Sequence, residues 1–112
     1  LSLLFTGEDN HKEMLKIFVN ESRKELSLLH DALHRNDRQA LRDILHKNLP
    51  LWETVNLDYP IEMLHEIVTT NPEEWQEKHL KEIYRIEQAA SKLIIHVEKM
   101  QEETHEKNNT DN

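Results

Sequence analysis

Histidine is the residue type in this sequence that offers the clearest candidate for covalent chemistry. The sequence has eight histidines and no cysteine, so it holds no thiol nucleophile, no thiolate metal ligand and no disulfide. A neutral imidazole is a competent nucleophile, and histidine forms covalent phosphoryl intermediates. A histidine that carries a phosphoryl group between proteins must be exposed and rigidly held, because the partner has to align with it. His46 meets both requirements in the predicted helix that contains it.

The stretch 37–57 has the apolar spacing of a single amphipathic helix. At about 100° per residue, one sector of this helix carries the side chains expected in the core, which are Leu41, Ile44, Leu45, Asn48, Trp52 and Val55. His46 falls about 140° from Leu41 and is therefore expected to face water. Its expected neighbours on the outer face are Gln39, Arg42, Pro50 and Glu53. Pro50 also deprives the His46 carbonyl of its helical hydrogen bond, which disturbs the backbone at the outward residue.

The composition predicts an all-α protein with one domain. One glycine, three prolines, 32% charged residues and 5% aromatic residues among 112 suit long helices and disfavour a sheet. We expect an antiparallel four-helix bundle of up-down-up-down topology, which is a natural package for this length. The predicted organisation is a linker or lid over residues 1–8, the bundle over 9–104 and a disordered tail over 105–112.

Capping residues and prolines set the predicted helix boundaries. The helices are expected at about 10–33, 37–56, 60–68 and 72–103. Asp37 is the predicted N-cap of the second helix, and Asn56 can close it in the left-handed conformation. The run Asn71-Pro72-Glu73-Glu74 predicts the start of the fourth helix, because it combines a cap, a first-turn proline and two acids. The core positions predicted for that helix are His79, Ile83, Ile86, Ala90, Leu93, Val97 and Met100.

Charge and hydropathy exclude several classes of partner. The formal net charge of −8 argues against nucleic acid and against an anionic lipid surface. No apolar run approaches the roughly 20 residues of a membrane span, so no direct membrane contact is expected. No signal peptide is visible, and the lack of cysteine fits a cytoplasmic location. Because the first residue is Leu1 and not methionine, we expect the chain to be a piece of a longer protein.

Two histidine patterns are weaker candidates, for a metal site. His30 and His34 are four residues apart on one helix, but a third ligand would have to come from another helix. A Glu-x-x-His pattern occurs once, at Glu62 and His65, whereas di-metal bundles need it twice. Surface histidines are the commoner explanation, and no metal site is predicted. His79 and His96 fall near the core edge of the predicted fourth helix, where a hydrogen-bonded structural role is expected.

From about Phe5 to Met100, the chain resembles a histidine-containing phosphotransfer (HPt) domain of multistep two-component phosphorelays. The resemblance rests on the helix order and on the approach to the histidine, with its break at Asn36-Asp37 followed by Leu41, Leu45 and His46. The end of the preceding helix, Asp31-Ala32-Leu33, is also similar. The family fold is a four-helix bundle with the phosphorylated histidine exposed midway along the second bundle helix.

The residues after His46 depart from the common family pattern, which has lysine three residues on and glycine four residues on. Leu49 and Pro50 stand at those positions, and lysine is instead adjacent to the histidine as Lys47. His46-Lys47-x-Leu-Pro looks like a variant found in some large hybrid sensor kinases. The resemblance implies a docking patch of Lys47, Leu49 and Pro50 around His46, with Arg42 and Glu53 on its rim.

The resemblance implies a phosphorelay carrier. His46 would accept a phosphoryl group from a receiver-domain aspartate of a response regulator and pass it to another receiver, with Mg²⁺ supplied by the receiver and no cofactor in this chain. The domain would be a monomer without a kinase site of its own, at the C-terminus of a hybrid sensor histidine kinase and in its cytoplasmic part. The alternative is a non-catalytic helical interaction or spacer module, in which His46 is incidental.

Overall fold

The computed structural model describes the backbone of residues 8–110 and the side chains of residues 11–102. Within this part the protein is helical and has no strand, which confirms the predicted all-α class. The elements are α1 (Glu8–Arg35), α2 (Arg38–Thr54), α3 (Ile61–Thr69), a short 3₁₀ turn (Pro72–Glu74) and α4 (Glu77–Thr110). The predicted linker or lid lies outside the described residues except for Glu8, which begins α1.

Two polar residues form the turn between α1 and α2, at the position where the sequence predicts a break between helices. Asn36 adopts a left-handed backbone with φ of 54°, which asparagine tolerates better than most residues. Asp37 then caps α2, because its Oδ1 accepts a hydrogen bond from the Ala40 amide at 3.1 Å. The predicted N-cap is confirmed, and it fixes where α2 begins relative to α1.

The other end of α2 also follows its sequence signals. The helix continues through Pro50 to Thr54, and Asn56 has φ of 56°. The amide of Leu57 then donates to the Trp52 carbonyl at 2.9 Å, which satisfies one of the last free carbonyls of the helix. The left-handed closure predicted at Asn56 is confirmed, and α2 has defined hydrogen-bonded caps at both ends.

All four helices contribute to one main core. Its fully buried large side chains are Leu29, Leu41, Leu45, Leu64, Ile67, Ile83 and Ile86. A second, smaller cluster joins α1 to α4 through Val19, Ile94 and Val97. The predicted stripe is confirmed, and its two half-buried members are Ile44 on α2 and Val55, the residue that follows the end of α2. Burying this stripe orients α2, and so decides which of its residues face outward.

The predicted start of the fourth helix at Asn71-Pro72 is wrong. Asn71 caps the 3₁₀ turn instead, with its Oδ1 accepting from the Glu73 amide at 3.1 Å. Trp75 follows with extended backbone, and its buried indole donates Nε1–H to the Ile67 carbonyl at 3.1 Å. Burial of the ring and satisfaction of its N–H keep this segment out of the helix, so α4 begins only at Glu77.

Arg38 explains why the extended segment is stable. Its guanidinium donates to the Pro72 carbonyl at 3.2 Å and to the Trp75 carbonyl at 2.8 Å. These bonds attach the turn to the first residue of α2, and they satisfy carbonyls that a continuous helix would have used itself.

The α4 helix ends later than predicted, and one of its predicted core positions is exposed. It runs to Thr110 and so includes much of the predicted tail, because residues 101–107 are mostly good helix formers and contain no glycine or proline. Residues 111–112 lie outside the described part. Ile94 is buried whereas Met100 is 43% exposed. None of the helices in the described range is long and apolar enough to cross a membrane.

Candidate functional site

His46 occupies the middle of α2, with eight helical residues before it and eight after it. Its side chain is exposed, as predicted, while the preceding Leu45 is completely buried. Among the residues whose side chains are described, no hydrogen bond, ion pair or ring contact engages the His46 imidazole. The site is therefore a solvent-facing imidazole on a helix whose opposite face is anchored in the core.

The anchoring of this helix against α1 depends on Asn48, two residues after the histidine. Asn48 is buried, and its Nδ2 donates to Glu25 Oε1 on α1 at 3.0 Å and to the Ile44 carbonyl at 2.8 Å. A buried amide without partners would be costly, so both donors are used. This bond joins α1 and α2 at the level of His46.

Glu25 is the residue at this site that sequence analysis did not single out. Burial by itself raises the pKa of the Glu25 carboxyl, but hydrogen bonds from Asn48 and Lys47, together with the Lys47 charge, hold this pKa below its usual value. The signal that would have found Glu25 is Asn48 itself, because an amide on a buried stripe requires a polar partner on a facing helix.

Lys47 lies at the boundary between α1 and α2. Its Nζ is 3.0 Å from Glu25 Oε2, although the side chain keeps much of its solvent exposure. Consecutive residues on a helix point about 100° apart, so this ion pair directs Lys47 away from the His46 side of α2. The structure therefore brings Lys47 together with Glu25, and it shows no contact between Lys47 and the His46 ring.

The remaining residues of the predicted patch lie near His46 along α2 and differ in exposure. Pro50 is exposed, Leu49 is half-buried against the core, and Arg42 is half-buried one turn before the histidine. Arg42 Nη1 is 3.6 Å from Asp43 Oδ1. Glu53 Oε1 is 3.1 Å from Nε2 of His65, which links the rim to α3.

Several of the described histidines have partners, which His46 lacks. His30 Nδ1 is 3.0 Å from Glu87 Oε2 on α4, and the His30 and His34 rings stack with centroids 5.6 Å apart. Among the described residues, no group of three histidine or acidic side chains is arranged to hold a metal ion. His79 is buried and accepts from the Gln76 amide at 2.9 Å, so its predicted structural role is confirmed, whereas His96 is exposed.

Comparison with known proteins adds no assignment to this geometry. The chain matches no protein-family model, no curated protein and no solved structure. The resemblance to HPt domains consequently rests on the helix order and on the residues around His46.

Proposed function

We propose that this protein is a phosphorelay carrier of the HPt type, and that His46 is its phosphoryl acceptor. The observation that carries the proposal is the exposed His46 ring at the centre of α2, above a face that is buried in the core. An acceptor that must meet other proteins needs this combination of access and rigidity.

The chemistry needs only one reactive group from this chain. The lone pair of the outermost ring nitrogen, Nε2, attacks phosphorus in an aspartyl phosphate of a response-regulator receiver domain. The new N–P bond forms as the P–O bond to the aspartate breaks, and the electron pair leaves with the carboxylate. The receiver supplies Mg²⁺, and transfer to a second receiver reverses these steps. The domain itself requires no cofactor.

An antiparallel, up-down-up-down bundle is part of the proposal, and the contacts between helices support it. Between α1 and α4, Arg23 pairs with Glu98 and the later residue His30 pairs with the earlier residue Glu87. Between α1 and α2, the Asp37 amide donates to the Ala32 carbonyl at 2.9 Å, and the more distant pair of Glu25 with Lys47 keeps the same opposite order.

Arg42 is the cation that we assign to the phosphoryl group. Lys47 is engaged by Glu25 at 3.0 Å, whereas Arg42 stands one turn before His46 on the same face. Its pairing with Asp43 at 3.6 Å is between adjacent residues and can be exchanged for a phosphoryl oxygen. Leu49 and Pro50 then offer a compact surface for a receiver, without a long side chain beside the ring.

The proposal includes the setting of the domain. Contacts with receivers are transient and small, and the isolated domain is a monomer. The domain belongs to the cytoplasmic part of a membrane-anchored hybrid sensor kinase, where upstream receivers deliver the phosphoryl group.

The test is transfer from a panel of receiver domains that have been phosphorylated in the presence of Mg²⁺. We expect the wild-type protein to acquire an acid-labile, base-stable phosphoryl group, and His46→Gln to acquire none. His34→Gln is the matched control, because His34 is also an exposed helical histidine and should not change the labelling. Equal labelling of the wild type and His46→Gln would contradict the proposal.

The alternative, a non-catalytic interaction or spacer module, is favoured by one observation. Several large apolar side chains outside the His46 region are about half exposed, namely Ile17, Leu28, Tyr84 and Ile95. A receiver panel distinguishes the two functions, because a spacer module would remain unlabelled with every receiver while the receivers keep their own phosphoryl groups.

A further inference from the structure

The outward face of α4 carries a line of cationic side chains in an acidic protein. The members of this cationic stripe are Lys78, Lys81, Arg85, Lys92 and Lys99, and His96 lies in line with them between the last two. Their spacings of three, four, seven, four and three residues keep them on one side of the helix over about 30 Å. All six are exposed, and the stripe holds five of the 14 lysine and arginine residues of a chain with net charge −8.

Acidic neighbours compensate part of the charge of the stripe. Like charges stand four residues apart at Lys81 and Arg85, whereas Glu77 and Glu82 stand four residues from Lys81 and from Lys78. Arg85 pairs with Glu82 at 2.7 Å, but Lys81 and Lys92 make no ion pair with any residue in the described range. These two exposed lysines can therefore pair with acidic groups of a partner.

A cavity of about 560 Å³ adjoins the centre of the stripe. It occupies the seven-residue gap between Arg85 and Lys92, where Ala89 and Leu93 provide apolar surface. Tyr59, from the α2–α3 loop, forms the opposite wall and donates its hydroxyl to Glu82 at 2.8 Å. The cations therefore stand on either side of a concavity that can take one apolar side chain.

We propose that the cationic stripe and the cavity beside it form a docking site for an acidic polypeptide segment that carries an apolar anchor residue. The charge of the stripe selects carboxylates, and the cavity selects the anchor. Asp58 and Glu82 also line the cavity, and they repel the closely spaced phosphates of a nucleic acid more than a peptide whose carboxylates can be positioned around them. None of the residues lining the cavity is on the outer face of α2, so this site is separate from His46.

The test uses a fluorescein-labelled peptide of glutamates with one central leucine, added to the full chain and followed by anisotropy at low and physiological salt. We expect saturable binding that weakens with salt. The double variant Lys81→Gln/Lys92→Gln should raise Kd about fivefold. The matched control is Lys16→Gln/Lys24→Gln, which removes the same charge from exposed positions of α1 and should leave Kd unchanged. A peptide with serine in place of leucine should bind more weakly, because it lacks the anchor.

Three results would overturn the proposal. If the two double variants weakened peptide binding equally, the effect would be due to net charge and not to the stripe. Tighter binding of a labelled DNA duplex than of the peptide would assign the stripe to nucleic acid. Concentration-dependent dimerisation that disappears in Lys81→Gln/Lys92→Gln would assign it to a second copy of this chain. Because His46 is intact in these variants, phosphotransfer reports separately on the proposed carrier function.

Discussion

The buried amide of Asn48 donates to the Glu25 carboxylate across the α1–α2 interface at 3.0 Å, only two residues from His46. The same carboxylate accepts from Lys47, so a single acidic side chain of α1 holds two consecutive residues of α2. His46 is the next residue toward the N-terminus, and it points the other way. Polar contacts on other sides of α2 therefore add to the buried apolar stripe in holding the proposed phosphoryl acceptor in position.

Asn48→Ala is expected to destabilise the protein by about 2 kcal/mol, because a hydrogen bond to a charged group is lost and a half-buried carboxylate loses a donor. Chemical denaturation followed by circular dichroism measures this change. Gln39→Ala is the matched control, since it removes the exposed hydrogen bond to Asp43 at 3.0 Å and should have little effect. An equal loss of stability in both variants would show that Asn48 has no special role.

Glu25 makes stability depend on pH in the acidic range. Its pKa in the folded protein lies below the ordinary value of 4.5, so the unfolded chain binds more protons as the pH falls through this range. The stability contributed by the carboxylate is present above about pH 4.5 and is lost as the pH falls through the folded pKa.

We therefore expect Glu25→Gln to be less stable than the wild type at neutral pH, and the difference between them to shrink in acid. Urea denaturation at a series of pH values tests this prediction. Glu62→Gln on α3 controls for general loss of acidic charge, because Glu62 is exposed. A wild-type advantage that stays constant with pH would contradict the role of the Glu25 carboxylate.

The helices and the exposure of His46 could be predicted from sequence because their determinants are local. The N-cap at Asp37, the left-handed Asn56 and the apolar period of α2 each act over a few residues. These local signals are sufficient to predict the direction of His46 without any tertiary contact. The same periodicity predicted which face of α2 lies against the core.

The features that sequence analysis missed depend on contacts between distant residues. Asn71 and Pro72 look like a helix start, but the 3₁₀ turn ends at a tryptophan that is buried against α3 and held by Arg38, 37 residues earlier. Likewise, Asn48 signals a polar partner on a facing helix, but the local sequence does not show that this partner, Glu25, also pairs with Lys47 from 22 residues away. Tertiary contacts override the local helix propensity where a large side chain is buried or a long-range ion pair forms.

Arg42 and Lys47 are predicted to differ in their effect on phosphotransfer. Arg42→Gln should lower the rate of transfer to His46 about tenfold, because a cation near the developing charge is removed. Lys47→Gln should change this rate little, since Lys47 is engaged by Glu25. Rapid-quench measurements with a phosphorylated receiver give both rates. The reverse order of effects would assign the phosphoryl contact to Lys47.

Pro50→Lys is expected to weaken receiver docking without removing the acceptor. Pro50 is exposed one turn after His46, so a long charged side chain at this position obstructs the close approach of a receiver. The substitution also restores a backbone N–H in mid-helix, so stability should be kept or increased. We expect the receiver concentration for half-maximal transfer to rise about tenfold while the maximal rate changes less.

Asn20→Lys places the same charge at an exposed position of α1 and should alter neither quantity. Unchanged transfer in Pro50→Lys would show that receivers do not contact this part of α2, and that His46 is reached from another direction or not at all.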